Sequence, residues 1–301
     1  MLLYSGTSNI SLAKKIASSL NQELGNLEIH IFPDGERRVR VEDNVVDRDV
    51  VVIQTTSPKP ELNYFELFFI ADALKRSGAK SVTAVVAYLG YQRQDHVFRS
   101  GEAVSMDVII KNLESLGIDK VITFDLHSIK IPELFKIPVV HLSALPIFAE
   151  EIKKITNNKF DEAVLVSPDM GGIRRIEMLS DMLGGISSSS IIKNRDLKSG
   201  NIESAEINGE VKQVAFVVDD MISTGRTIIA GANLLKEKGT EEVYVFATHP
   251  VFSFEDKGIF DEDIIKRVFV TDTIEIDIKK KFEKLEVLSI ANLIAEELKK
   301  Q

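Results

Sequence analysis

Two adjacent aspartates, Asp219 and Asp220, lie in the stretch of the chain whose residue types best fit a chemical role. They end an apolar run at residues 214–218 that is long enough for a buried strand. A turn rich in hydroxyl groups and glycine follows at residues 223–227, and a segment with helical spacing follows the turn. This order predicts an anion-binding loop, because the first N–H groups of a helix lack intrahelical partners and the helix dipole favours negative charge.

The paired carboxylates would repel a bare phosphate, but they suit a ligand that carries neighbouring hydroxyl groups beside its phosphate. Carboxylates accept hydrogen bonds from hydroxyl groups, and a sugar phosphate has this layout. We therefore expect Asp219 and Asp220 to bind sugar hydroxyls. The phosphate is expected on the residues of the turn, which are Ser223, Thr224, Gly225, Arg226 and Thr227. In the alternative interpretation, the two acids only close a strand and cap a helix.

A turn signature, Pro33-Asp34-Gly35, occurs near the start of the chain within residues 32–40. By itself it is typical of a hairpin tip. The functional interpretation is a clamp for a nucleotide base, in which Phe32 stacks on adenine while Asp34 and Glu36 accept hydrogen bonds from the amino group and nearby donors.

A polar loop at residues 90–102 follows a predicted buried strand, and such loops are ordinarily solvated surface. Arg93, Gln94 and Arg99 nevertheless suit ATP, because a guanidinium group offers forked donors to phosphate oxygens. A second polar loop, residues 124–128, places His127 two residues beyond a strand-ending aspartate. A ligand to metal or phosphate would lie there, although a lone histidine is more often structural.

Two loops in the second half suit phosphates. In residues 167–175, Asp169 offers a carboxylate for Mg²⁺, and the glycines Gly171 and Gly172 offer free backbone N–H groups for a diphosphate. The alternative is a helix-capping turn. Residues 191–196 carry charges after a predicted strand, which usually indicates a solvated loop, and the polar stretch at residues 197–209 suits a lid.

Taken in order along the chain, these motifs resemble those of the ribose-phosphate pyrophosphokinase family. The matches are F-x-D-G-E at residue 32, R-Q-D at residue 93, D-L-H at residue 125, S-P-D-x-G-G at residue 167, K-x-R at residue 193 and the phosphoribosyl-pyrophosphate motif at residue 219. His96 stands where many members have a basic residue. Ser223 replaces the acid of the common D-T-A-G-T turn.

The resemblance implies site roles. ATP would be bound by Phe32, Asp34, Glu36, Arg93, Gln94, Asp95, Arg99 and His127. Ribose 5-phosphate would be bound by Asp219 and Asp220 through its hydroxyls and by residues 223–227 through its 5′-phosphate. The diphosphate would lie on Asp169, Gly171 and Gly172, and Lys193 and Arg195 would be catalytic residues on a mobile loop. Mg²⁺ is the implied cofactor, with His127 and Asp169 as the residues nearest the metal.

The implied reaction transfers the β,γ-diphosphoryl group of Mg²⁺–ATP to the C1 hydroxyl of ribose 5-phosphate, giving 5-phosphoribosyl 1-diphosphate and AMP. Since the Phe32 loop of this family reaches the ATP site of a neighbouring subunit, a homodimer or larger homo-oligomer with a shared ATP site is expected. Two alternatives remain open: a phosphoribosyltransferase, and a non-catalytic regulatory member of the family.

The elements that must position these loops alternate between strand and helix along the whole chain. Unbroken apolar strands between helices predict a mostly parallel sheet that is covered on both faces. We expect an α/β fold of two tandem doubly wound, mostly parallel sheets of phosphoribosyltransferase-like type. Residues 1–142 would form the domain with the ATP loops, residues 143–284 the domain with the ribose-phosphate and pyrophosphate loops, and residues 285–301 a terminal helix on the first domain.

Composition excludes several classes of protein. The chain of 301 residues has a net charge of −9, which argues against a nucleic-acid partner. It has no cysteine, so disulfides and thiol chemistry are excluded. The N-terminus does not resemble a signal peptide, and no stretch approaches the roughly 18 apolar residues of a membrane span. We therefore expect a cytoplasmic protein without a membrane partner.

Overall fold

The structure, a computed structural model, describes residues 1–195, 202–254 and 257–300. Its strands are β1 (Leu2–Ser5), β2 (Leu27–Ile31), β3 (Arg37–Val41), β4 (Asp49–Gln54), β5 (Ser81–Val86), β6 (Lys120–Phe124), β7 (Val139–Leu142), β8 (Ala163–Ser167), β9 (Ser188–Arg195), β10 (Ile202–Asn208), β11 (Val214–Ile222), β12 (Glu242–Pro250), β13 (Ile265–Thr271) and β14 (Leu285–Leu288). Its α-helices are α1 (Ile10–Ser19), α2 (Pro60–Arg76), α3 (Ser105–Ser115), α4 (Leu145–Thr156), α5 (Ile173–Met182), α6 (Arg226–Glu237) and α7 (Ala291–Leu298).

The chain divides into two units, and the first is built from three separate parts of the sequence. It contains Met1–Ser143, Thr273–Glu275 and Ser289–Gln301. The second contains Ala144–Asp272 and Ile276–Leu288. The segment expected to be a terminal helix is therefore split, since β14 is a strand of the second unit and α7 belongs to the first.

The first unit is organised around a sheet of five parallel strands in the order β1-β4-β5-β6-β7. Its central strands β4 and β5 consist mainly of buried valine, isoleucine and alanine, because both faces are covered. On one face, side chains of α2 and α3 pack against alternate strand residues. Strands β2 and β3 form a separate antiparallel hairpin that contacts α2.

Helix α7 packs on α1 in the first unit. Its buried face consists of Ala291, Ile294, Ala295 and Leu298. The Ser19 hydroxyl donates to the Asn292 side-chain oxygen at 2.8 Å, and the Lys120 ammonium lies 3.7 Å from Glu297. Burial of these apolar side chains stabilises the contact, and the exposed hydrogen bond between Ser19 and Asn292 adds little.

The second unit contains a seven-stranded sheet in the order β10-β9-β8-β11-β12-β13-β14. Neighbouring strands in this sheet run parallel, except for the antiparallel pair β9–β10 at one edge. Alternate residues of β11 face opposite sides, so Ala215 and Val217 pack with α6 while Phe216 and Val218 pack with α4 and α5. The predicted fold class, two tandem doubly wound α/β sheets, is confirmed. Within the described residues, no helix combines the length and the apolar character needed to cross a membrane.

Candidate active site

The acidic pair does not end its strand, which corrects the expectation from the sequence. β11 continues through Asp219 and Asp220 to Ile222, because its parallel pairing with β12 extends as far as Pro250. The pairing of β11 with β8 on its other side stops at Val217. The two aspartates therefore project beyond the end of β8, at the edge where the loop that follows β8 begins.

Asp219 lies in a crowded acidic environment that also contains the cationic side chain of Arg175. Its Oδ1 accepts a hydrogen bond from the Asp220 backbone N–H at 2.8 Å, and the Arg175 guanidinium of α5 lies 3.6 Å away. Burial raises the pKa of Asp219 well above its ordinary value, and the charges of Asp220 and Asp169 raise it further, while Arg175 opposes them. Hydroxyl donors or a cation would relieve this repulsion, so the site suits either.

The turn after β11 is shaped for close approach. Gly225 has a φ of 75°, and a Cβ there would lie 3.0 Å from the ring of Phe260, so a side chain is disfavoured on both grounds. No side chain in the described part of the chain caps the start of α6. Thr224, Arg226 and Thr227 are exposed around this helix start. The turn thus has the hydroxyls, the charge and the helix N-terminus that an anion requires.

The loop after β8 is closed on itself. Asp169 Oδ1 accepts hydrogen bonds from the N–H groups of Gly171 at 2.9 Å and Gly172 at 3.3 Å, so these groups are not free, in contrast to the expectation from the sequence. A Cβ on Gly172 would lie 2.4 Å from the Ser167 hydroxyl, which explains the second glycine. A diphosphate would have to replace the Asp169 carboxylate at these donors.

A cleft of about 700 Å³ in the first unit brings together three of the predicted ATP residues, Arg93, Asp95 and His127. The rest of its lining consists of His96, Phe98, Ser128, Lys130, Glu133 and Leu134. Parallel strands β5 and β6 are neighbours, so the loops that follow them meet at one edge of the sheet.

Gln92, a residue outside all the sequence motifs, joins these two loops. It is buried, and its Oε1 accepts a hydrogen bond from the His127 backbone N–H at 2.8 Å. Its Nε2 is buried and has no partner among the described residues. The sequence did not indicate this role for Gln92, because a glutamine beside charged residues is typical of ordinary loop surface.

Asp95 also connects the two loops rather than pointing freely into the cleft. Burial would raise its pKa, but hydrogen bonds from His96 and Ser128 outweigh burial and lower the pKa below its ordinary value. The His96 Nδ1 lies 2.7 Å from Asp95 Oδ1, and its ring lies 3.9 Å from the ring of Phe98. The charged Asp95 is therefore a support for His96 and Ser128.

Other predicted ATP residues do not line this cleft. Gln94 and Arg99 are exposed elsewhere on the same loop. Phe32, Asp34 and Glu36 lie at the tip of the β2–β3 hairpin, where Asp34 caps the Glu36 N–H at 3.1 Å. At the base of this hairpin, Arg37 forms an ion pair with the buried Glu66 of α2, which fixes the hairpin to the first unit.

The remaining predicted residues are only partly described. Lys193 and Arg195 belong to the backbone of β9, but their side chains lie outside the described part of the structure, as do residues 196–201 of the expected lid. From residue 202 the expected lid forms the edge strand β10. His127 lies in the first unit and Asp169 in the second. Among described residues, no group of three or more His, Cys, Asp or Glu side chains is arranged to hold a metal ion.

The fold and these loops define a class of protein: an α/β protein of two parallel or mostly parallel sheets, with an acidic pair and a hydroxyl-rich turn at a helix start, both at the carboxyl ends of parallel strands. Both groups of loops follow strands at the edge where open α/β sheets bind their ligands.

Comparisons with known proteins identify the family. Residues 1–117 match the N-terminal domain of ribose phosphate pyrophosphokinase, and residues 198–301 match the phosphoribosyl synthetase-associated domain. The ribose-phosphate pyrophosphokinase of Fusobacterium nucleatum is 37% identical over 97% of this chain and 92% of its own length. That of Thermotoga maritima is 38% identical, over 98% and 93%. The crystal structure of phosphoribosylpyrophosphate synthetase from Mycobacterium smegmatis matches with a TM-score of 0.92 and 33% identity, over 99% of this chain and 97% of that one. The chain belongs to the ribose-phosphate pyrophosphokinase family, which confirms the resemblance.

Proposed function

We propose that the protein transfers the β,γ-diphosphoryl group of ATP to the C1 hydroxyl of ribose 5-phosphate, giving 5-phosphoribosyl 1-diphosphate and AMP. The observation that carries the proposal is the acidic pair of β11 followed directly by an uncapped, hydroxyl-lined helix start. Membership of the family supports the same reaction.

In this reaction the C1 oxygen attacks the β-phosphorus, and the bond between the β-phosphorus and the oxygen of the α-phosphate breaks, so AMP leaves. The proton of the C1 hydroxyl passes to solvent or to a carboxylate of the acidic pair. Asp219 and Asp220 accept hydrogen bonds from the ribose hydroxyls, and residues 223–227 bind the 5′-phosphate. Positioning supplies much of the rate, because two substrates must meet in line.

The first unit would bind ATP through its cleft. Arg93 and His127 would contact the phosphates, with Gln92 and Asp95 holding their loops in register. Gln94 and Arg99 are proposed to close on the nucleotide when it binds, since both are exposed on the same loop. Asp169, Gly171 and Gly172 would bind the diphosphate.

The residues present fit Mg²⁺ bound together with ATP. Magnesium is normally held by one or two carboxylates, by water and by substrate phosphates, so no dedicated cage of side chains is required. Asp169 would supply a carboxylate oxygen, and His127 would act through water or phosphate because imidazole is a poor ligand for this ion. When bound, the ion would neutralise charge on the transferring phosphates.

Lys193 and Arg195 are proposed to close over the transferring phosphates, where their positive charges would stabilise the transition state. The support is the match to the K-x-R motif and the position of both residues at the end of β9.

We further propose that the ATP site is shared between subunits of a homodimer or larger homo-oligomer. The support is the hairpin tip. Phe32, Asp34 and Glu36 are exposed and do not line the cleft of their own chain, so they are available to a neighbouring one. We also propose a cytoplasmic location, because both substrates are highly charged and charged molecules do not cross membranes unaided.

The deciding experiment is product analysis after the purified protein is mixed with ATP, Mg²⁺ and ribose 5-phosphate. We expect AMP and 5-phosphoribosyl 1-diphosphate in equal amounts, with Asp220→Asn as the inactive control. ATP binding without AMP formation would overturn the proposal and favour a non-catalytic family member. Nucleotide formation from a free nucleobase and the activated sugar would favour a phosphoribosyltransferase.

A further inference from the structure

The segment that follows β12 runs beside the start of the phosphate turn. The backbone N–H of Phe252 donates to the carbonyl of Ile222 at 2.9 Å, and that of Ser253 donates to the carbonyl of Ser223 at 3.0 Å. Two consecutive backbone hydrogen bonds thus fix this segment against the last residue of β11 and the first residue of the turn.

Aromatic packing anchors the same segment. Phe252 and Phe254 are buried, with ring centroids 4.9 Å apart. The ring of Phe260 lies 5.8 Å from Phe254 and stacks on Phe282 at 5.1 Å. The Lys280 ammonium donates to the Phe252 carbonyl. Ser253 lies between the two anchored phenylalanines and is itself exposed, so its hydroxyl is presented from a fixed backbone.

That hydroxyl meets the turn. The Ser253 Oγ lies 2.8 Å from the Ser223 Oγ. Each hydroxyl carries one proton and accepts through its lone pairs, so one proton is used between the two groups and the other remains for a ligand. A phosphate oxygen can only accept, and it therefore requires a remaining proton that points outward.

We propose that Ser253 is a positioning residue of the ribose 5-phosphate site: it donates to Ser223, and the Ser223 hydroxyl then donates to the 5′-phosphate. The inference rests on the proposed function for the identity of the ligand. It also gives a physical role to the serine that replaces an acid at position 223, because a carboxylate has no proton to donate to phosphate.

The test compares Ser253→Ala and Ser253→Thr with the control Ser187→Ala, in which an exposed hydroxyl bonded to Glu210 at 2.9 Å is removed before β9. For Ser253→Ala we expect the KM for ribose 5-phosphate to rise about tenfold, because Ser223 loses the donor that orients its own proton toward the phosphate. The KM for ATP and the Tm should change little. Ser253→Thr retains the hydroxyl and should keep the KM for ribose 5-phosphate within about threefold of the wild type.

Two results would overturn the inference: a KM for ribose 5-phosphate in Ser253→Ala equal to that of Ser187→Ala, or equal losses in Ser253→Ala and Ser253→Thr at unchanged Tm. Binding of ribose 5-phosphate, measured by calorimetry on the same full-length variants, separates this inference from the proposed function. A wild type that forms no AMP, but binds ribose 5-phosphate about tenfold more tightly than Ser253→Ala, would refute only the reaction.

Discussion

Asp219 is the residue whose chemistry depends most on its surroundings. Burial, Asp220 and Asp169 all disfavour its charge, while Arg175 favours it. The folded chain therefore retains a proton on Asp219 at pH values where the unfolded chain has released it. Between the ordinary pKa of 3.8 and the raised value, the free energy of unfolding falls as pH rises. This residue destabilises the apo protein at neutral pH.

We predict that Asp219→Asn raises the Tm at pH 7. The amide keeps an acceptor for the Asp220 N–H but removes the repulsion, and each kcal/mol relieved raises the Tm by roughly 2–4 °C. This increase in Tm over the wild type should shrink as pH falls toward 4. The KM for ribose 5-phosphate should rise about tenfold, because the variant has lost a charged acceptor. Thermal unfolding of both proteins across this pH range checks the prediction. An unchanged or lowered Tm at pH 7 would contradict it.

Gln92 has a different role, since it connects two loops without needing to touch a ligand. We predict that Gln92→Met raises the KM for ATP about five- to tenfold, because the His127 N–H loses its buried acceptor at nearly constant side-chain volume. The KM for ribose 5-phosphate should stay the same. Gln22→Met, at an exposed position of the same unit, is the matched control. Equal effects on both KM values would argue for a general loss of stability instead.

At the scale of elements, the alternation of strands and helices was predictable, because buried parallel strands are unbroken apolar runs and their helices carry spaced apolar residues. The short strand β7, the helix α4, the edge strands β10 and β14 and the strand β13 beside β14 were not predicted. Only two residues separate β7 from α4, so no loop composition marks that boundary. The end of β11 was misplaced because its length depends on pairing with β12, a partner that local sequence does not reveal.

For the loops, the grouping of side chains was predictable from the sequence but the backbone contacts were not. The motifs predicted that Arg93, Asp95 and His127 belong to one site, and the three residues do line one cleft. Their contact with phosphate stays a prediction. The self-capping of Asp169 and the link from Gln92 to His127 were not predictable, since both depend on backbone geometry.

The turn between β11 and α6 allows a test of backbone shape with a matched control. Gly225 and Gly239 both have positive φ, so an alanine costs roughly 1–2 kcal/mol at either position. Only at Gly225 would the new Cβ also meet the ring of Phe260. We predict that Gly225→Ala raises the KM for ribose 5-phosphate at least about tenfold while Gly239→Ala lowers only the Tm. Steady-state kinetics and thermal unfolding of both variants decide this. Equal KM values would show that the turn tolerates the displacement.

The ribbon formed by β9 and β10 carries the proposed catalytic lysine. We predict that Lys193→Ala lowers kcat about 100-fold or more while the KM for ATP changes less than about tenfold, because the charge acts mainly on the transition state. Lys212→Ala, a part-exposed lysine paired with Glu210, is the control. Turnover that survives the loss of Lys193 would remove this residue from the mechanism.

For the assembly of subunits, the proposal of an ATP site shared between two chains predicts how mixed oligomers behave. Phe32→Ala and Arg93→Ala should each be inactive alone, because one removes the hairpin contact and the other the phosphate contact. In a randomly mixed dimer, about a quarter of the sites combine an intact hairpin tip with an intact cleft, so about a quarter of wild-type activity should return. Assays after co-refolding of the two variants measure this. A mixture as inactive as its components would place both residues in one chain's own site.

The discontinuous first unit has a consequence for synthesis on the ribosome. Helix α7, which covers α1, follows the second unit in sequence, so it emerges after that unit has been translated. Domains otherwise fold as units in the order in which they are made. Here the apolar face of α1 stays uncovered by α7 until more than one hundred residues of the second unit have been translated. The first unit is therefore completed last.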